Sequence, residues 1–173
     1  MIRRGGAAAL LGALALLAGC TTPPRPVPDL AGRLSVRIDA HDGAPTRSVS
    51  SQFELRGDAR AGELQLTTML GTTAGQAQWR PGSADLMTGE GTRQFADLDA
   101  LALNLFGETL PLTALIDWLR GRAWPEAPSS ATADGFEQLG WRIDLSRFAQ
   151  GWVLAARERA PALSVRVKLD PSQ

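Results

Sequence analysis

The chain of 173 residues is poor in the side chains that do chemistry. It has one cysteine, one histidine and one lysine, Cys20, His41 and Lys168. A lone cysteine cannot form an internal disulfide, so Cys20 needs another reason to be there. Metal-ligand spacing of the usual His/Cys kind needs more ligands than Cys20 and His41 supply, and no metal is expected. His41 lies in His41-Asp42-Gly43, a turn signal, where a surface histidine is the ordinary outcome and a catalytic base the rare one. There is no Gly-x-Ser-x-Gly elbow or phosphate-binding glycine loop, and the acidic residues are scattered without a distinctive pair. A hydrolase would have to rely on carboxylates alone, and an enzyme is not expected. Lys+Arg and Asp+Glu number 18 each, without a basic patch, so nothing points to nucleic acid. Beyond residue 19 no apolar run is long enough to cross a membrane.

What is present begins at the N-terminus. Arg3 and Arg4 precede an apolar run from Ala7 to Ala18, followed by Gly19 and Cys20. A basic start, a short apolar middle and small residues describe a secretory signal, too short to remain as a spanning helix. Leu17-Ala18-Gly19-Cys20 resembles the lipobox of bacterial lipoproteins, which implies cleavage after residue 19 and lipidation of Cys20. Thr21, rather than Asp, in the next position favours the outer membrane under the sorting rule of that class. Without Arg3 and Arg4 the chain keeps 16 basic against 18 acidic residues, a net charge of −2. Residues 20–29 hold Pro23, Pro24, Pro26 and Pro28 and read as an extended tether. Residues 30–173 are long enough for one domain with a substantial core.

From Leu30 the pattern has period two. Leu34, Val36 and Ile38 alternate with polar residues, as do Val49, Ser51, Phe53 and Leu55, then Leu64 and Leu66. A fourth strand is expected near Thr73–Trp79, with shorter ones around Ala84–Thr88 and Arg93–Phe95. The period then becomes helical. Leu98, Leu101, Ala102 and Leu105 form one stripe between an Asp97 N-cap and a Gly107 stop. Leu103 and Phe106 lie outside that stripe, so this helix should meet apolar material on both sides. A second helix starts near Pro111, presents Leu112, Leu115, Ile116 and Leu119 on one face, and ends at Gly121. A loop from Trp124 to Asp134 follows. Period two returns with Trp141, Ile143 and Leu145, then Trp152 and Leu154, then Leu163, Val165, Val167 and Leu169.

Short polar turns between strands predict an α+β domain that is mainly β: a curved antiparallel sheet with an inserted helical pair. Periodicity leaves open whether the helices cover a pocket or a core filled by the chain's own side chains.

Gly107 to Gly121 reads Gly-Glu-Thr-Leu-Pro-Leu-Thr-Ala-Leu-Ile-Asp-Trp-Leu-Arg-Gly. It resembles the G-x-x-[LIV]-P-x-x-x-L-x-x-W-[LIV]-x-G pattern of the LolB family of outer-membrane lipoprotein receptors. Gly32-Arg33-Leu34, Leu70-Gly71 and Gly140-Trp141 occur in the family's order, and the resemblance covers most of residues 20–173. It implies an unclosed antiparallel barrel with a helical lid around an apolar cavity. It also implies a lipid-anchored, periplasm-facing receptor that takes acylated lipoproteins from the periplasmic carrier LolA and inserts them into outer-membrane lipid. No nucleotide and no cofactor beyond the lipid on Cys20 are implied, and a monomer is expected. The alternative from another class is a non-transporting scaffold or assembly lipoprotein with a filled core.

Leu70 matches the family's exposed loop leucine, implicated in delivering cargo to the membrane, and Met69 stands where the family usually has proline. Leu70 folded back on the sheet edge is the ordinary alternative. Leu115, Trp118 and Leu119 match the helical motif and, with Leu101 and Leu105, are candidates for the lid. Val36, Phe53, Leu64 and Leu66 are candidates for the cavity wall. Each of these reads equally well as core packing.

Overall fold

The computed structural model describes residues 28–171. The signal segment, Cys20 and the tether up to residue 27 lie outside the described residues. Six strands come first: β1 (Leu30–Ile38), β2 (Arg47–Gly57), β3 (Gly62–Thr67), β4 (Thr73–Arg80), β5 (Ser83–Thr88) and β6 (Gly91–Phe95). Two helices follow, α1 (Leu98–Phe106) and α2 (Leu112–Trp118). The chain ends with β7 (Ser129–Thr132), β8 (Gly135–Gln138), β9 (Trp141–Asp144), β10 (Trp152–Arg157) and β11 (Leu163–Leu169). Among the described residues no helix is long and apolar enough to cross a membrane.

Every pairing is antiparallel, and β1 hydrogen-bonds to both β2 and β11. The strands thus form one eleven-stranded sheet in the order β6-β5-β4-β3-β2-β1-β11-β10-β9-β8-β7. The two edges, β6 and β7, do not pair, so the sheet is unclosed, consistent with an open barrel. Both helices lie in the connection between those edges. A single core takes Val36, Phe53 and Trp79 from one half, Ile143, Val153 and Val165 from the other, and Leu101, Ala114 and Trp118 from the helices. A sheet that supplies one core from both halves must curl around the helices.

Local chemistry explains the turns. The Asp58 carboxyl accepts hydrogen bonds from the Arg60 and Ala61 backbone N–H groups, which hold its pKa below the usual aspartate range and fix the β2–β3 turn. Asp97 caps α1 by accepting from the Ala100 N–H at 2.7 Å, and Gly107 ends it with an N–H to the Leu103 carbonyl. Register sets the polarity of the sheet. Ile38 pairs with Arg47 and Leu163, and Leu163 pairs with Arg157. The β1–β2, β3–β4, β8–β9 and β10–β11 turns therefore project from one end of the sheet, and Leu30 lies at the other.

Three expectations need correction. The segment from Trp124 to Asp134, read as a loop, contains edge strand β7, which pairs with β8. Its Ser-Ser-Ala-Thr sequence carries no large apolar residue to reveal it. In β10 the inward residues are Val153 and Ala155, whereas Trp152 and Leu154 are half-buried on the opposite face. Leu103 of α1 is 50% exposed, so that helix does not meet apolar material on both sides.

Gly32 marks the tightest approach between β1 and β11. A Cβ there would lie 2.2 Å from the Lys168 carbonyl oxygen, and backbone cannot yield as a flexible side chain can. Gly32→Ala should cost about 1–3 kcal/mol by forcing the strands apart. Urea unfolding checks this through a lowered midpoint at constant slope. An unchanged midpoint would mean that the β1–β11 contact is not rigid.

Candidate functional site

The curled sheet leaves an apolar pocket of about 90 Å³ beneath the helices. Val36, Phe53, Leu64 and Leu66 line it from the sheet, Leu101 and Leu105 from α1, and Leu115 and Leu119 from α2 and its end. No polar atom is exposed inside it. The alternation of β1 and β2 turns Val36 and Phe53 inward, while every residue of β3 is only half-buried, so Leu64 and Leu66 border unfilled space. An apolar space of this size has no polar partners to hold water and stays dry. It is smaller than the roughly 150 Å³ cavity that admits benzene, so a long ligand needs the walls to move.

Of the nine pocket residues expected from sequence, these eight meet around one space. Trp118 does not line it. It is fully buried away from the pocket, donates from Nε1 to Gln138 Oε1 at 2.8 Å, and packs against Trp141 with ring centroids 6.1 Å apart. Gln138 also accepts from the Trp124 N–H and donates from Nε2 to the Trp124 and Ala127 carbonyls. All four of its hydrogen-bonding positions are used, and the clamp joins α2 to β8 and to the chain that follows α2. Sequence gave no sign of this role for a glutamine in a four-residue strand.

The two helices are held differently. Besides the clamp, α2 is tied at its end by Arg120, whose Nη2 donates to the Gly57 carbonyl at 2.6 Å. α1 packs on α2, β5 and β6. Its polar ties are Arg93 to Asn104, Arg47 to the Phe106 carbonyl, and the Thr113 N–H and hydroxyl to Asp99.

Met69 and Leu70 occupy the β3–β4 tip, 59% and 94% exposed, so Leu70 is not folded back on the sheet. The turn hangs on Thr68, whose N–H donates to the Thr72 carbonyl, whose carbonyl accepts from the Gly71 N–H, and whose hydroxyl accepts from the Thr72 N–H. Gly71 has φ 84°, a conformation that a side chain would strain. These bonds order the turn without a proline at position 69.

A polar cluster missed by the sequence reading lies at the same end of the sheet. His41 Nε2 is 3.4 Å from Glu108, and the buried Arg157 contacts Glu108, the Thr109 carbonyl and the Pro161 carbonyl. Its guanidinium also lies over the Trp141 ring at 5.7 Å. His41 is therefore engaged rather than a plain surface residue. Among the described residues no three His, Cys, Asp or Glu side chains are grouped to hold a metal.

Residues 29–171 match the family model described as Outer membrane lipoprotein LolB. The chain belongs to the LolB family. Curated relatives named Outer-membrane lipoprotein LolB include a Bordetella petrii protein, 37% identical over 94% of this chain and 89% of its own length. One from Bordetella pertussis is 36% identical over 90% and 86%, and one from Chromobacterium violaceum is 32% identical over 86% and 85%. The LolB-family match spans the pocket, both helices and the exposed turn.

Gln138→Ala should cost about 3 kcal/mol, because it leaves the Trp118 indole and the backbone groups of Trp124 and Ala127 unpartnered. Chemical denaturation measures the loss. A change below about 0.5 kcal/mol would mean that the clamp does not hold α2.

Proposed function

We propose that this protein is a lipid-anchored receptor that accepts acylated lipoproteins from a LolA-type periplasmic carrier and inserts them into the outer membrane. Cys20 carries the anchoring lipid, and the domain faces the periplasm. The observation that carries the reading is the pocket: wholly apolar, roofed by two helices, and set in a sheet that does not close. A chain of about sixteen carbons costs roughly 12 kcal/mol to expose to water, at about 0.8 kcal/mol per methylene. Acyl chains therefore pass between sheltered sites, and direction comes from graded affinity, carrier below receptor and receptor below bilayer. Transfer of this kind consumes no nucleotide and makes no covalent bond.

A space of about 90 Å³ is too small for an acyl chain, so cargo entry requires its walls to part. α1 acts as the lid: its displacement breaks a few polar contacts, each worth about 1 kcal/mol, and the burial of Leu98, Leu101 and Ala102 is regained against the incoming acyl chains. α2 stays with the sheet. Leu105 and Phe106 line the pocket from α1, so the same movement widens the space and uncovers apolar wall. Leu70 then works at the membrane. Burying a leucine side chain contributes about 2 kcal/mol, enough to hold the tip transiently in the interface.

The scaffold reading draws on the small closed volume, and cargo acceptance separates the two. Residues 20–173 carrying Cys20→Ala should take an acylated lipoprotein from the carrier, followed by co-purification. A folded protein that takes none would favour the scaffold. Leu70→Glu should leave acceptance intact and cut insertion into liposomes by about ten-fold, because a carboxylate resists the apolar interface. Equal insertion by variant and parent would remove Leu70 from the mechanism.

A further inference from the structure

Arg157 stands out among the inward-facing residues. Along β10 the inward row runs Val153, Ala155, Arg157, and the last is a guanidinium only 5% exposed. Ala155 pairs with Val165, which lines the pocket, so Arg157 lies one inward row further along, about 7 Å toward the end that carries Leu70. It stands where the apolar interior gives way to that end of the sheet.

Its charge is poorly satisfied. Nη1 donates to the Thr109 carbonyl at 3.2 Å, and Nη2 donates to the Pro161 carbonyl at 3.1 Å and to Glu108 at 3.5 Å. Nε is buried and has no partner. Nδ1 of the neighbouring His41 is also buried and unpartnered, while His41 Nε2 faces Glu108. Buried donors are rarely left unused, and a buried cation with long, incomplete bonds is costly. Two of the three acceptors, Glu108 and Thr109, belong to the connection between α1 and α2. If α1 swings away and draws Glu108 and Thr109 with it, Arg157 keeps only the Pro161 carbonyl and the Trp141 ring.

We infer that Arg157 is a binding residue for the carbonyl oxygens of ester-linked acyl chains, taking them in place of the Thr109 carbonyl when α1 opens. The inference rests on the receptor reading and adds to it the part of the cargo that lies between chain and polypeptide. A guanidinium is a donor-only group, and an ester carbonyl is an acceptor-only one. A ligand whose chains run from the pocket toward that end would set its glyceryl ester groups beyond Val165, at the level of Arg157. There Nη1 and the unused Nε are available as donors. Nε is unused even with α1 in place, and release of the Thr109 carbonyl frees Nη1 as well, so opening raises the number of donors that face a ligand carbonyl. The chemistry is shared by any ester-linked diacylglycerol, of cargo or of bulk phospholipid.

The test compares two triacylated lipopeptides with equal chains, one with glyceryl esters and one with ethers in their place, binding to the Cys20→Ala protein. The ester form should bind about ten-fold more tightly, and Arg157→Met should remove the preference while keeping ether binding. Arg157→Lys, which retains a cationic donor, should keep part of the preference if the methionine variant does not fold. A phospholipid pair with ester and ether chains runs alongside. A carbonyl preference in either pair supports the inference, and its relative size tells which lipid the site selects. Equal binding of ester and ether forms by the parent protein, or a preference that survives in Arg157→Met, overturns the inference and leaves the receptor reading intact. Failure of the parent to bind any of the four overturns both.

Discussion

The antiparallel pairing of β1 with β11 determines what the rest of the molecule can be. β1 also pairs with β2, so it joins the meander before the helices to the one after them. Without that seam the chain would make two small sheets, each with one apolar face and no partner for it. With it, eleven strands curl into one surface whose inner side must be covered. Among the described residues the covering chain lies between the two edges, where α1 and α2 are. Gly32 makes the seam possible because a side chain there would strike the backbone of β11.

Coverage of that inner side is incomplete and uneven. α2 is fixed through buried polar bonds to Gln138 and is part of the wall. α1 rests on the strands near the β6 edge and leaves Leu103 in solvent. A protein needing only a stable core would gain by filling the space between Leu64, Leu66 and Leu105. That space is the one the proposed acyl-chain site would use.

Much of this was legible in the sequence because it depends on local pattern. Alternation located β1 to β6, and Asp97 and Gly107 bracketed α1 as their cap chemistry requires. What escaped depends on distant partners. β7 is a strand only because β8 pairs with it, and its small polar residues carry no period. Trp118 shares the helical spacing of the pocket leucines, yet its indole N–H needs a buried acceptor, and Gln138 lies on the other side of α2. Nothing in the sequence singles out Arg157, and only the fold brings Glu108 and Thr109 to it.

The polarity of β1 bears on posture at a membrane. The chain enters the sheet at Leu30, at the pole opposite the Leu70 tip. With Cys20 as the lipidated residue, the ten positions from Cys20 to Asp29 reach at most about 35 Å, close to the rise of the nine residues of β1, roughly 30 Å. Under the proposed anchoring at Cys20, that reach is comparable to the distance between the two poles, so the Leu70 end is within range of the leaflet.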